Sequence, residues 1–322
     1  MSEVSYPKVQ FVEVQAEEAG QRIDNFLLKK LKGVPKSRIY KMLRKGEVRV
    51  NKGRVKAEYK IEAADMVRIP PVRVAESKTQ VPTALNKVQA LEKAIIYEDS
   101  RIIVLNKPHG MAVHGGSGMS YGVIEAMRAL RPKAPYLELV HRLDRDTSGC
   151  LLIAKKRSAL RFLHQQLQKK TMTKRYWALV NGQWPKKLKQ VDAPLAKNQV
   201  KSGERLVRVT EEGKASLTSF RIIETFQSTT LVSAEPITGR THQIRVHAQY
   251  AGCGLVGDPK YGEDAINQKL KTKGLSERLF LHAYSLKFRV SPESKPITVE
   301  APLPQPLENT LDYLRAGNSL GD

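Results

Sequence analysis

Between Gly20 and Pro70 the chain carries fifteen lysines and arginines against five acids, a surplus of ten charges in 51 residues, out of a total surplus of 23 over 322. A short segment with so much like charge cannot build a large core, so it folds only as a small module that gathers its apolar residues on a few faces. Those faces are visible. Ile23, Phe26, Leu27 and Leu31 fall at i, i+3, i+4 and i+8 and form one helical stripe, with Lys29, Lys30 and Lys32 outside it. After a break at Gly33-Val34-Pro35, Ile39, Met42 and Leu43 mark a second short helix bearing Lys36, Arg38, Lys41, Arg44 and Lys45, and Gly46 stops it. Val48 to Val55 alternates apolar with polar around Asn51-Lys52-Gly53 and reads as a hairpin; Met66 to Ile69 adds a strand. A solvated helix surface would account for one charge run. It does not account for a run continued across two helices and a hairpin, which fits a polyanion bound mainly through phosphates.

The rest of the chain is built differently. A hydrophobic content of 41% supports a true core and excludes global disorder. Two cysteines, Cys150 and Cys253, are too few for a disulfide framework or a four-thiolate zinc site and fit a reducing cytoplasm. The first twenty residues lack the apolar region of a secretion signal, and nowhere do about 18 apolar residues run together, so neither export nor membrane spanning is expected. Residues 71–93 are polar, with prolines and no clear period at first, and read as a linker. Beyond it, strands are expected at Ile95–Glu98, Ile102–Leu105, Leu151–Ala154, Arg175–Val180, Ala215–Glu224, Thr229–Ala234 and Leu279–Arg289. Helices are expected at Val123–Leu130, Ser158–Lys169 and Thr241–Ala251. Strands outnumber helices and many are hairpin-joined, so residues 94–306 are expected to form a mainly antiparallel α+β domain.

The densest chemistry lies in His141-Arg142-Leu143-Asp144-Arg145-Asp146-Thr147-Ser148-Gly149, a polar loop between apolar ends, where a rigid sheet commonly places function. A buried carboxylate flanked by arginines stays ionised, whether it is catalytic or structural. A serine hydrolase would need a glycine two residues before Ser148, which is Asp146. A glycosidase needs two carboxyls facing one sugar, and this loop alone, with Asp144 and Asp146 among arginines, does not point to such a pair. His141, His242, His247 and His282 could hold a metal, but the arginines around the acids repel a cation, and most histidines are expected to pack or hydrogen-bond. The glycine-rich run His114 to Gly118 lacks the order of a phosphate loop, so no nucleotide cofactor is expected. A second cluster runs from Thr238 to His247. If its helix starts at Thr241, then His242, Arg245 and Gln249 share a face that could present Arg245 to Asp144.

Together, His-Arg-Leu-Asp with Thr-Ser-Gly at 141–149 and Gly-Arg-Thr-His-Gln-Ile-Arg-Val-His at 239–247 resemble the HRLD-type pseudouridine synthases. Asn106-Lys107-Pro108 with Gly110, Lys174-Arg175-Tyr176, Gly257 to Gly262 and Leu281-His282-Ala283 support the match, and the basic module resembles an S4-type RNA-binding domain. The resemblance implies an S4-like module followed by a mixed-sheet catalytic domain that isomerises uridine to pseudouridine in large-subunit ribosomal RNA, with no cofactor and no metal. It implies Asp144 as the catalytic aspartate, Tyr176 as the tyrosine packed on the base and a candidate for taking the C5 proton, and Arg245 as the carboxylate's partner. Arg142 would enter the RNA as the uridine leaves its stack; Lys107, Pro108, His141 and Leu281 would shape the substrate pocket. Lys36, Arg38, Lys41, Arg44, Lys45, Arg49 and Lys52 would hold RNA, and a monomer is expected. Two rivals remain at this point: a non-catalytic RNA-binding or ribosome-assembly protein, which leaves the Asp144 loop without a task, and the same chemistry on transfer RNA.

Overall fold

The computed structural model describes residues 8–31, 33–72, 86–115, 121–199 and 205–321. They divide into two compact units, one within residues 1–80 and one within 81–322.

In the first unit the chain runs β1 (Gln10–Glu13), α1 (Ile23–Lys30), α2 (Lys36–Lys45), β2 (Arg49–Val50), β3 (Gly53–Arg54) and β4 (Met66–Ile69). The strands form an antiparallel sheet in the order β1-β4-β2-β3. Both expected helical stripes are buried, and with Val48, Val50, Val67 and Ile69 they make one core. Gly46, at φ 68°, ends α2 in the left-handed region that glycine enters without strain. Asn51 and Lys52 turn the hairpin with φ 48° and 66°, the two positive values a two-residue turn between twisted strands requires. The unit starts earlier than Gly20, because β1 pairs with β4 over Gln10↔Ile69 to Glu13↔Met66. Lys32 lies outside the described residues.

The second unit begins inside the segment read as a linker. Asn86–Lys93 is a helix, α3, whose Val88 and Leu91 are buried; residues 73–85 lie outside the described residues. The chain continues through β5 (Ile95–Glu98), β6 (Ile102–Lys107), α4 (Val123–Leu130), β7 (Glu138–Leu139), β8 (Ser148–Ala154), α5 (Arg157–Gln168) and β9 (Thr173–Asn181). Next come β10 (Gln190–Asp192), β11 (Leu195–Gln199), β12 (Arg205–Val209), β13 (Leu217–Thr225), β14 (Thr229–Pro236), α6 (Gln243–Tyr250) and α7 (Asp264–Thr272). The unit closes with β15 (Leu281–Phe288), β16 (Ile297–Glu300) and α8 (Gln305–Arg315). Part of the glycine-rich run, residues 116–120, is outside the described residues.

Ten strands form one sheet in the order β10-β13-β14-β9-β15-β8-β6-β5, with β16 beside β15 and β7 beside β8. All described pairings are antiparallel except β8 with β15, so the mainly antiparallel α+β expectation holds. Alternation of side chains puts two cores on the sheet. Ile103, Leu105, Leu151, Ile153, Tyr176 and Leu281 face α3, α4 and α6. On the other face Val104 and Leu152 meet α5, while Leu179 and Phe280 meet α7 and α8. Helix α8 extends the domain past the expected end at residue 306, with Leu307, Leu311 and Leu314 buried. β11 and β12 pair as a separate two-stranded ribbon laid against Val246 and Tyr261.

Candidate active site

The Asp144 loop joins β7 to β8, a strand buried along its whole length, and is braced from behind. Lys107, at the end of β6, is fully buried, and its Nζ donates to the carbonyls of Pro108 (2.8 Å), Met111 (2.7 Å) and Arg145 (3.0 Å). Burial pushes its ammonium down to about 7, with Asp146 opposing the shift, yet three carbonyl acceptors need all three N–H donors of the charged form. Within the loop, the Thr147 N–H donates to the Asp144 carbonyl at 3.2 Å.

Facing the loop is the turn before α6. Gln243 ties it down: its Oε1 accepts from the Thr238 hydroxyl (2.7 Å) and the Arg240 N–H (3.0 Å), and its Nε2 donates to the Leu217 carbonyl (2.9 Å). Two residues on, Arg245 is 2% exposed, and its Nε and Nη2 donate to the two oxygens of Asp258 at 2.7 and 2.6 Å. Burial alone would lower this guanidinium's pKa; the Asp258 hydrogen bonds and charge outweigh it and hold the group above its ordinary value. The third nitrogen, Nη1, stands 3.8 Å from Asp144 Oδ2. Arg245 therefore reaches Asp144, as expected, but its strong partner is Asp258. Asp258 lies in the Gly257-to-Gly262 segment, which carries no sign of a partner for it; only the fold puts it opposite the guanidinium.

Helix α6 starts at Gln243 rather than Thr241, so His242 is its N-cap residue, at φ 54° in the left-handed region. The shared face expected for His242, Arg245 and Gln249 is replaced by this turn. Through it, His242 Nε2 comes to 3.8 Å from the same Asp144 Oδ2, while Nδ1 lies 2.8 Å from the Tyr261 hydroxyl. Tyr261 in turn packs its ring against the Arg245 guanidinium, 4.9 Å from centroid to carbon.

A cavity of about 510 Å³ opens between these elements, within the range that holds small ligands. Asp144, Tyr176, Arg245, Arg142, His141 and Leu281, all expected from sequence, line it together, joined by His242, Lys174 and Arg240. Asp144 is the one carboxylate among its described lining residues; its side chain is 20% exposed and takes no hydrogen bond from a described residue. Tyr176 forms part of the wall on β9, 8% exposed; burial and then Asp144 push its phenol above its ordinary pKa, so it stays protonated. His141 Nε2 accepts the Leu152 N–H at 3.2 Å, and burial pushes its pKa down to about 4. Arg142 is exposed at the cavity.

Lys107 and Pro108, expected to shape the pocket, are not among its lining residues: the ammonium of Lys107 is bound by three carbonyls beneath the Asp144 loop, and Pro108 is exposed. Asp146 is also absent from the lining and pairs with Arg145 at 3.0 Å. Ser148 is fully buried, its Oγ accepting from Arg278 Nη2 at 2.6 Å and lying 2.9 Å from His282 Nδ1, while His282 Nε2 meets the Ala301 carbonyl at 3.1 Å. This buried chain serves packing, not nucleophilic attack. Among the described residues no group of three or more His, Cys, Asp or Glu could hold a metal ion. In the first unit, Lys36, Lys41, Arg44, Lys45, Arg49 and Lys52 are exposed, whereas Arg38 is held by Glu47 at 3.0 Å.

A family model described as RNA pseudouridylate synthase matches residues 101–250, and an S4 domain model matches residues 21–67. The chain is 59% identical over 311 residues to the ribosomal large subunit pseudouridine synthase C of Escherichia coli K12, covering 96% of this chain and 98% of that one. It is 58% identical over 312 residues to the protein of the same name from Pasteurella multocida, covering 97% and 95%. Among solved structures, human RNA pseudouridylate synthase domain containing 4 is similar over 71% of this chain and 95% of its own, at 26% identity and a TM-score of 0.58.

Proposed function

The chain belongs to the RNA pseudouridylate synthase family, and from that membership we propose that it isomerises specific uridines of large-subunit ribosomal RNA to pseudouridine. The single observation that supports the assignment of roles is Asp144: a carboxylate without a hydrogen bond, facing a cavity and approached by Arg245 and His242. A uridine inside folded RNA must leave its stack before C1′ can be reached, at a cost of about a few kcal/mol. Arg142, exposed at the cavity, would occupy the gap left in the RNA, and Lys174 and Arg240 add positive charge at the same opening.

With the nucleoside in the cavity, Asp144 promotes cleavage of C1′–N1, by attack on the nucleotide or by elimination. The bond's electron pair leaves with N1; the uracil turns, C5 bonds to C1′, the C5 proton departs and N1 gains one. Nothing is added or lost, so one carboxylate suffices where a glycosidase needs two. Tyr176, held protonated by burial, suits packing against the base better than removing the C5 proton. Arg245, locked by Asp258, holds a positive charge 3.8 Å from the Asp144 carboxylate. The exposed cations of the first unit supply salt-dependent grip on the RNA.

No helix among the described residues is long and apolar enough to cross a membrane. A cytoplasmic monomer acting without a nucleotide cofactor is the finer part of the proposal. Purified protein is expected to produce carbodiimide-dependent reverse-transcription stops in a large-subunit rRNA transcript and none in transfer RNA. Asp144→Asn is expected to abolish them while RNA still binds; tritium release from 5-labelled uridine at the wild-type rate in that variant would contradict the assignment.

A further inference from the structure

We propose that His242 is a positioning residue of this reaction: Tyr261 fixes its tautomer so that an Nε2–H faces Asp144 and steadies one carboxylate oxygen, leaving the other for the nucleoside. The proposal rests on Asp144 being the reacting carboxylate.

The hydrogen-bond inventory carries it. The Tyr261 oxygen already accepts the Val207 N–H at 3.0 Å, and it has one proton to place against His242 Nδ1, 2.8 Å away. Were Nδ1 protonated, the phenol O–H would lack an acceptor among the described residues, and the Nε2 lone pair would face a carboxylate at 3.8 Å. If instead Tyr261 donates to Nδ1, the phenol is satisfied and Nε2–H is on the side of Asp144 Oδ2, 3.8 Å away, a contact that tightens into a hydrogen bond when the nucleoside is bound. The order is then Val207 N–H to Tyr261 O–H to His242 to Asp144. Backbone geometry gives independent support: His242 sits at φ 54°, which side chains other than glycine rarely adopt and which persists where surroundings over-determine it, often at functional sites. The charged and titratable groups around the ring act on it in both directions. Burial lowers its pKa, Asp144 opposes, Arg245 and Lys260 lower it further and Asp258 opposes, with a net lowering that keeps the ring neutral, so it steadies the carboxylate without neutralising it. Arg245 Nη1 stands 3.8 Å from the same Oδ2, so both donors approach one oxygen of the carboxylate and leave the other free of them.

The test is single-turnover pseudouridine formation at saturating rRNA fragment, with RNA affinity and melting temperature measured beside it. His242→Ala is expected to slow the reaction about 10- to 100-fold, the effect of losing a hydrogen bond to a charged group that forms once the 3.8 Å contact tightens around the bound nucleoside, with RNA affinity changed less than about threefold. His242→Gln, whose amide reaches the position of Nε2, restores most of the rate. His242→Asn, which accepts the left-handed backbone better but reaches only the position of Nδ1, does not. Tyr261→Phe slows the wild-type background and adds nothing when combined with His242→Gln, whose amide donates whatever Tyr261 does. Equal rescue by Asn and Gln, or an equal cost of Tyr261→Phe in both backgrounds, would overturn the proposal and leave a structural role. Asp144→Asn run in parallel separates the two readings: if it is active, the assignment of Asp144 fails; if it is inert and the His242 pattern is missing, only this inference fails.

Discussion

Asp258 is 1% exposed and gives both oxygens to Arg245, while its Oδ1 also accepts the N–H groups of Lys260 (2.9 Å) and Tyr261 (3.1 Å). A buried pair of this kind is neutral only while both partners are present. Asp258→Asn leaves the guanidinium without its countercharge and is expected to cost about 3–5 kcal/mol in urea denaturation, and to slow catalysis as Arg245 loosens. His282 behaves differently, because its neutral form is the one bound: Nε2 donates to the Ala301 carbonyl and Nδ1 accepts from Ser148. Burial pushes its pKa down to about 4 from 6.5. Between those values the unfolded chain takes up a proton that the folded chain refuses. Stability is thus full above pH 6.5 and falls as pH drops towards 4, by about 3 kcal/mol from this residue. Urea denaturation at pH 7.5 and 4.5 is expected to show a larger loss in wild type than in His282→Gln; equal losses would exclude His282 as the source.

Among the elements, those with a strong period were legible: both helices of the first unit, β6, β8, β9, β14, α4 and α5 all stand within a few residues of where alternation or a helical stripe puts them. The reasons for the misses are physical. β1 and β10 are three or four residues long and exist because a neighbouring strand pairs with them. Leu307, Leu311 and Leu314 have helical spacing, but the prolines at 302, 304 and 306 mask it until α8 is seen to start with Pro306 in its first turn, where proline is tolerated. Leu311→Ala is expected to cost about 2–5 kcal/mol in the same assay, as its side chain is buried among Leu179, Phe280 and Leu307. At the site, the Asp144 loop was legible because polar residues interrupt two apolar strands. The Arg245–Asp258 fork was not, since a turn 13 residues downstream shows no sign of where its carboxylate points. Gly257 makes that turn at φ 72°, and a Cβ there would strike the Arg278 carbonyl. Gly257→Ala is therefore expected to lower both the melting temperature and the turnover rate, by displacing Asp258.

Across the whole molecule, charge is divided between two jobs. The cavity of the second unit holds a few cations around one carboxylate, while the first unit shows a broad exposed set on α2 and the β2–β3 hairpin. Replacing Lys41, Arg44, Lys45 and Lys52 with glutamine is expected to flatten the plot of log affinity against log salt by about 3, if each meets one phosphate, and to leave the single-turnover rate at saturating RNA unchanged. An unchanged slope would remove this surface from the RNA contact. The sheet of the second unit also separates neighbours in sequence. Tyr176 faces the cavity, whereas Trp177, next along β9, faces away and lies 4.9 Å from the Tyr284 ring. The other tryptophan, Trp184, is packed on Phe220 with its indole N–H on the Leu188 carbonyl. Neither indole lines the cavity, so a nucleobase resting on Tyr176 cannot quench them by contact. A change in tryptophan emission excited at 295 nm that survives correction for absorption by the RNA would therefore arise without base–indole contact, giving the enzyme a built-in optical gauge of altered indole surroundings during turnover.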